Sequence, residues 1–214
     1  MKRVRAALSA AAMSLALCAL AAAAEPAPQP GSLPHGQPDA RRATAGVYTM
    51  DVAHTAIIAR VSHLGFSMSL FRFGKAEATL KWDPSHMESS TLRASVETAS
   101  VETPVPGFAA QLRGKAYLNS AAHPIATFVS TAFRPHDAKS GTVAGRLTLL
   151  GKTVPAVFAV TLIGAGPGFA ASPVMGHVLG IRAVAHVDPK AIGLPPVFAE
   201  PVEIAVDAEF TKKG

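Results

Sequence analysis

Cysteine is almost absent: one residue, Cys18, occurs in 214. That excludes a disulfide-stapled scaffold and a cysteine-based zinc site. Charge is sparse at 16% and aromatics are few at 6%, while 49% of residues are hydrophobic. A chain this apolar is not intrinsically disordered, and its 17 Gly and 17 Pro follow no fixed period, so it is not collagen-like. Catalytic signatures are missing as well. There is no Gly-x-Ser-x-Gly elbow, no His-Glu-x-x-His and no Walker loop. Gly164-Ala165-Gly166-Pro167-Gly168 breaks the dinucleotide spacing and reads as a loop. The eight histidines lack the i, i+4 or short-loop spacing of metal ligands. No catalytic residue, metal site or cofactor is therefore expected.

The chain opens with Lys2, Arg3 and Arg5, followed by an uncharged Ala/Leu/Met run from Ala6 to Ala24. The run ends in Ala22-Ala23-Ala24 before Glu25, the small-residue pattern of a cleaved secretory signal peptide over residues 1–24. A transmembrane anchor is the alternative by length, and Cys18 after Leu17 gives a weaker lipoprotein alternative. Removing residues 1–24 leaves 17 Lys+Arg against 14 Asp+Glu. The formal charge of +6 is thus mostly an export signal rather than a nucleic-acid footprint. Residues 25–46 carry five prolines and few large apolar side chains, the composition of an extended, disordered linker. One folded domain is expected over residues 47–213.

Beyond Val47 the hydrophobic period is two. Ala76, Ala78, Leu80 and Trp82 alternate with Glu77, Thr79, Lys81 and Asp83. Val202, Ile204, Val206, Ala208 and Phe210 alternate with Glu203, Ala205, Asp207 and Glu209. Alternate side chains leave opposite faces of a strand, so each segment has a dry face and a wet face. Strands are expected near residues 47–52, 55–64, 70–83, 90–101, 124–134, 142–150, 153–163, 175–187 and 201–211. Residues 107–118 fit one short helix after a Gly start. Such a chain builds a sandwich or a barrel, and its long strands favour a closed antiparallel barrel.

Between Lys152 and Arg182 stand 29 residues without a charge. Val154, Ala156, Phe158, Val160 and Leu162 share one strand face, and Val157, Ala159 and Ile163 share the other. Either the strand is covered on both faces, or one face borders an apolar cavity. Pro155 and the glycines after Ile163 exclude a membrane-spanning helix. An outer-membrane barrel needs aromatic girdles that two Tyr and one Trp do not supply. His63 shares parity with Ile57, Ala59 and Val61, and reads as a satisfied buried histidine or as a polar contact to a ligand head group.

Several segments together carry a family pattern: Tyr48 through Asp51, His54 and Thr55 to His63-Leu64-Gly65; Trp82-Asp83-Pro84; Ala99 to Thr103; Gln111-Leu112-Arg113, Ala116 to Asn119 and His123 to Ser130; and Gly145 to Thr153. In order and spacing the chain resembles the YceI-like family of polyisoprenoid-binding periplasmic proteins. Two departures bear on the cavity mouth. Residues 187–194 match the family's late strand ending only loosely, and Pro104 and Pro106 stand where the family more often has a polar segment.

The resemblance implies a periplasmic, lipocalin-like barrel whose apolar lumen holds a long isoprenoid or another apolar lipid. It implies binding without catalysis, and neither nucleic acid nor stable membrane insertion after signal removal; no oligomeric state follows from it. Matched motif by motif, Ile57, Val61, Leu80, Trp82, Phe128, Leu147, Leu149, Phe158, Val160, Leu162, Ile204 and Val206 fall on the inner face. His63, expected as a polar ligand contact, and Arg113 and Tyr117 are weaker candidates for the mouth or head-group end. Parity leaves open whether these side chains wall a cavity or fill a solid core. A histidine-dependent enzyme on a lipid substrate, or a solid-core interaction protein, are the rival readings.

Overall fold

The computed structural model describes residues 34–168 and 176–212. The expected signal peptide and Cys18 lie outside the described residues. The period-two segments form ten strands: β1 (Gly46–His63), β2 (Ser67–Phe73), β3 (Ala76–Trp82), β4 (Thr91–Glu97), β5 (Val101–Glu102), β6 (Ile125–Pro135), β7 (Ser140–Leu149), β8 (Lys152–Pro167), β9 (His177–Val187) and β10 (Val202–Lys212). The expected short helix is α1 (Phe108–Arg113), which starts after Gly107 at φ +77°. Eight strands close in the order β1-β3-β4-β6-β7-β8-β9-β10, with β10 returning to β1. Every pairing is antiparallel. β2 pairs with the second half of β1 and carries β5 on its outer edge. Closure removes the edges that long strands otherwise expose.

Four strand assignments differ from the sequence expectation. Residues 47–52 and 55–64 are one strand, bent by a bulge. Asp51 faces Glu209 while Ala56 faces Asp207, so β1 carries three extra residues between these rungs. The Asp51 carboxylate accepts the Ala53 N–H at 2.9 Å, and the Asp51 carbonyl accepts the Thr55 hydroxyl at 2.7 Å. These bonds hold the bulge, and its odd count switches which parity faces inward. Residues 70–83 divide into β2 and β3 at Gly74-Lys75. There the Gly74 N–H donates to the Ser100 carbonyl and the Lys75 N–H to the Ser100 hydroxyl, both at 3.1 Å. Residues 90–101 likewise divide into β4, a 3-10 turn and β5. The glycine-rich stretch expected as a loop from Gly164 continues β8 as far as Pro167.

The last residues of the expected linker are also placed differently. Gln37 pairs with Ala165, and Ala40 and Ala43 are buried. Gly36 lies against Gly164 so closely that a Cβ on Gly36 would come within 2.9 Å of the Gly164 Cα. Small residues allow this backbone-to-backbone approach. The segment closes one end of the barrel with Tyr48, Trp82, Leu162 and Phe210. Tyr48 is fully buried, and its hydroxyl donates to the Thr44 carbonyl at 2.8 Å. At the other end, Leu112 of α1 packs with Phe71, Val101 and Leu118. Between them lies a middle layer in which Phe128 and Phe158 meet edge to face, ring centroids 5.0 Å apart.

Gly145 on β7 sits beneath that pair. A Cβ there would strike the Phe128 ring and lie 2.5 Å from the Val129 carbonyl oxygen. Gly145→Ala is expected to lower the unfolding free energy by about 1–3 kcal/mol through overpacking. A urea denaturation series with an unchanged m-value would show it.

Candidate ligand cavity

Inside the barrel is a cavity of about 330 Å³ with an almost wholly apolar wall. Pockets for small molecules span about 300–1,000 Å³. The interior is therefore not solid. Leu80, Trp82 and Leu162 line it toward the end closed by the N-terminal segment. Phe128, Leu147, Phe158, Val160 and Val206 line its middle. Ile57, Val61, Leu149 and Ile204 line it toward the end covered by α1. Twelve of the thirteen residues expected to contact a ligand thus share one wall.

β8 shows how strand geometry builds this wall. Ala156, Phe158 and Leu162 are buried and point inward, whereas Val157 and Ile163 are 55% and 60% exposed on the outer face. The strand is covered on one face only, and the uncharged run owes its inner half to the cavity.

His63 is the thirteenth residue, and it does not join the wall. It is exposed at the end of β1, where its rung with Ser67 is the last before the turn. Its parity is that of Val61, but the ladder has run past the barrel's lip. The reading of His63 as a satisfied buried histidine does not hold. Arg113 is also outside the wall, and its guanidinium donates to the Val101 carbonyl at 3.2 Å. Tyr117 does line the cavity, in a row of aromatic rings, Phe71–Phe108–Tyr117–Phe198, with centroids 6.1, 6.1 and 5.9 Å apart.

The sequence reading left out wall residues on strands it had placed, such as Leu179 and Ile181 of β9, and missed two further kinds. Phe71 and Phe73 lie on β2, where the expected strand boundary was wrong. Leu112, Leu118, Ile192, Leu194 and Phe198 come from α1 and the connections. No period marks a loop residue as inward. Polar groups gather at the β6–β7 turn, where Asp137 accepts the N–H groups of Lys139 and Ser140, both at 2.7 Å. The Lys139 bond, with those from Ser140, holds the Asp137 carboxyl below the usual carboxylate range. No histidine stands among the lining residues described.

The family follows from this barrel and its motifs. A family model described as YceI-like domain matches residues 48–210. The chain belongs to the YceI-like family. Among its relatives, a UPF0312 protein of Azotobacter vinelandii is 32% identical over 129 residues, 59% of this chain and 67% of the relative. A UPF0312 protein of Vibrio cholerae serotype O1 is 29% identical over 174 residues, 80% of this chain and 88% of the relative. Burkholderia cenocepacia BcnA superposes with a TM-score of 0.66 at 23% identity, covering 75% of this chain and 98% of that one. The Campylobacter jejuni YCEI protein gives 0.63 at 19% identity, covering 72% and 91%. A polyisoprenoid binding domain from Saccharophagus degradans gives 0.53 at 12% identity, covering 77% and 97%. These solved structures share the fold.

On the outer face of this YceI-like barrel, Asp51, His54 and Glu209 bring ligand atoms within 4.8 Å of one another, the spacing of a metal cluster. A hydrogen bond accounts for the contact: His54 Nδ1 and Asp51 Oδ2 are 2.9 Å apart. That bond raises the His54 pKa above its usual value, helped by the Asp51 and Glu209 charges, and it lowers the Asp51 pKa. A raised histidine pKa adds stability that fades as pH rises through it. A lowered carboxyl pKa adds stability that fades as pH falls through it. The pair therefore holds the bulge best between the depressed Asp51 pKa and the elevated His54 pKa. An NMR titration is expected to place the His54 midpoint above 6.5, and Asp51→Asn to move it back toward that value.

Proposed function

We propose that this protein is a non-catalytic carrier that holds a long apolar chain, a polyisoprenoid or an isoprenoid-bearing lipid, in the lumen of its barrel. The apolar cavity carries the reading. Each buried CH₂ is worth about 0.8 kcal/mol, so a hydrocarbon tail gains affinity along such a wall without hydrogen bonds. The Saccharophagus degradans domain described as polyisoprenoid binding has the same fold, which supports the ligand class. Lys2, Arg3, Arg5 and the alanine-rich run to Ala24 support export and a periplasmic location, with residues 1–24 removed. Twelve of the expected residues, from Ile57 to Val206, would contact the chain. His63 would lie outside it.

The rival enzyme reading drew on His54 and His63. Both are exposed and neither lines the cavity, which favours the binding reading over a histidine-dependent one.

Native mass spectrometry of protein from its own periplasm is expected to show a retained apolar molecule. Absence of any lipid, together with no thermal stabilisation by added polyprenol, would overturn the reading. Saturation at 100 times the dissociation constant should add about 2.7 kcal/mol. Ala183 is buried in the wall, and Ala183→Phe would displace ligand. Loss of three methylene contacts corresponds to about 2.4 kcal/mol, or about fifty-fold in affinity. Titration with a fluorescent polyene, beside a melting curve of the empty variant, measures it.

A further inference from the structure

The β1–β2 hairpin ends in an exposed apolar tip. Leu64 is 73% exposed, Phe66 87%, Met68 43% and Leu70 48%. Single exposed apolar residues are ordinary, but four within seven positions form a patch. Met68 and Leu70 lie on the hairpin's outer face, across from Ser62 and Arg60. Val105, also exposed, lies in the connection after β5, the neighbour of β2.

The backbone adds a second observation. Leu64 has φ +55° and Gly65 φ +77°, and the Phe66 N–H donates to the His63 carbonyl at 3.0 Å. Two positive φ values at a hairpin turn favour Asn-Gly, and a branched apolar side chain there is strained. Leu64 is thus unfavourable in its backbone and wasted in water. Both costs are offset if the side chain enters an apolar medium.

We propose that this tip docks the barrel onto a lipid bilayer, with Leu64 and Phe66 entering the acyl boundary. Three features favour a bilayer over a protein partner. The apolar groups sit on a protruding turn, which fits a deformable medium better than a preformed pocket. No acidic residue occurs from Val52 to Ala76, so the hairpin carries Arg60, Arg72, Lys75 and His63 with no carboxylate of its own to repel lipid phosphates. Glu203, Glu102 and Glu97 pair these three long cations at 3.2, 3.2 and 3.3 Å, so apolar insertion supplies most of the attraction. Finally, the hairpin's inner face, with Val61, Phe71 and Phe73, is cavity wall. Docking therefore brings the lumen's α1-covered end, with its row of aromatic rings, against the reservoir of its ligand. This purpose rests on the carrier reading, whereas adhesion of the tip does not.

The test is flotation of the exported protein with vesicles of phosphatidylcholine, alone and mixed with phosphatidylglycerol. The wild type is expected to float with both and somewhat more with the anionic mixture. The double variant Leu64→Asn, Phe66→Ser is expected to partition at least about tenfold less. Asn suits the turn, so the variant should melt no lower than the wild type and should keep its polyene affinity, since neither residue lines the cavity. A wild type that stays in the pellet fraction, or a variant that floats equally, overturns the proposal. So does a concentration-dependent dimer that the variant abolishes while vesicle binding is absent, which would make the tip a surface for a second copy. Vesicle binding by a protein that takes up no polyene would keep the docking surface and remove the carrier function.

Discussion

The barrel is closed by one seam, the pairing of β1 with β10 on both sides of the Asp51–Ala56 bulge. β1 has to serve three neighbours: β3 along its first residues, β2 along its last, and β10 on both sides of the bulge. The bulge makes this possible. Before it, Tyr48 and Met50 face inward. After it, Ile57, Ala59 and Val61 do. Three extra residues, an odd number, switch the parity and bend the strand so that its second half leaves β3 for β2. Without that switch the apolar side chains of one half would face water.

The closed ring determines what the interior can do. Eight strands bring inward side chains close enough to fill a small barrel, yet here they leave about 330 Å³. Many of the wall residues are small or of medium size, such as Ala94, Ala183 and Val160, and the large rings meet in pairs or rows rather than converging on the axis. A wall with so few polar atoms discriminates through length and shape, because it offers few directional contacts. A ligand with a polar end would have to find partners for it at a mouth. The two ends differ: one is covered by Ala40, Ala43 and the β6–β7 turn, the other by α1, the connection after β9 and the apolar hairpin.

Much of this was readable in the residues. Phe158, Val160 and Leu162 alternate cleanly, and so do Ile204 and Val206, because a strand's side chains flip with every residue whatever its partners. Twelve inner-face assignments rested on that rule together with the family motifs. Parity alone could not show that His63, which shares the face of Val61, is exposed beyond the residues that line the lumen. It passed over Phe71 and Phe73, since the turn at Gly74-Lys75 depends on bonds from Ser100, a residue distant in the chain. It had no purchase on Leu112, Ile192 or Phe198, whose direction is set by packing alone. Nor could the proline-rich composition before Gly46 show that Gly36 and Gly164 permit two backbones to touch.

The amino-acid sequence by itself determined the class of structure, the inward faces of its strands and the family. These follow from local alternation and from motifs that each lie within a short stretch of chain. Tertiary structure alone decided that the interior is hollow, which loops complete its wall, and that Leu64 and Phe66 stand exposed beside one mouth. Those properties arise from distances between segments far apart in the chain, and a void has no residue of its own to mark it.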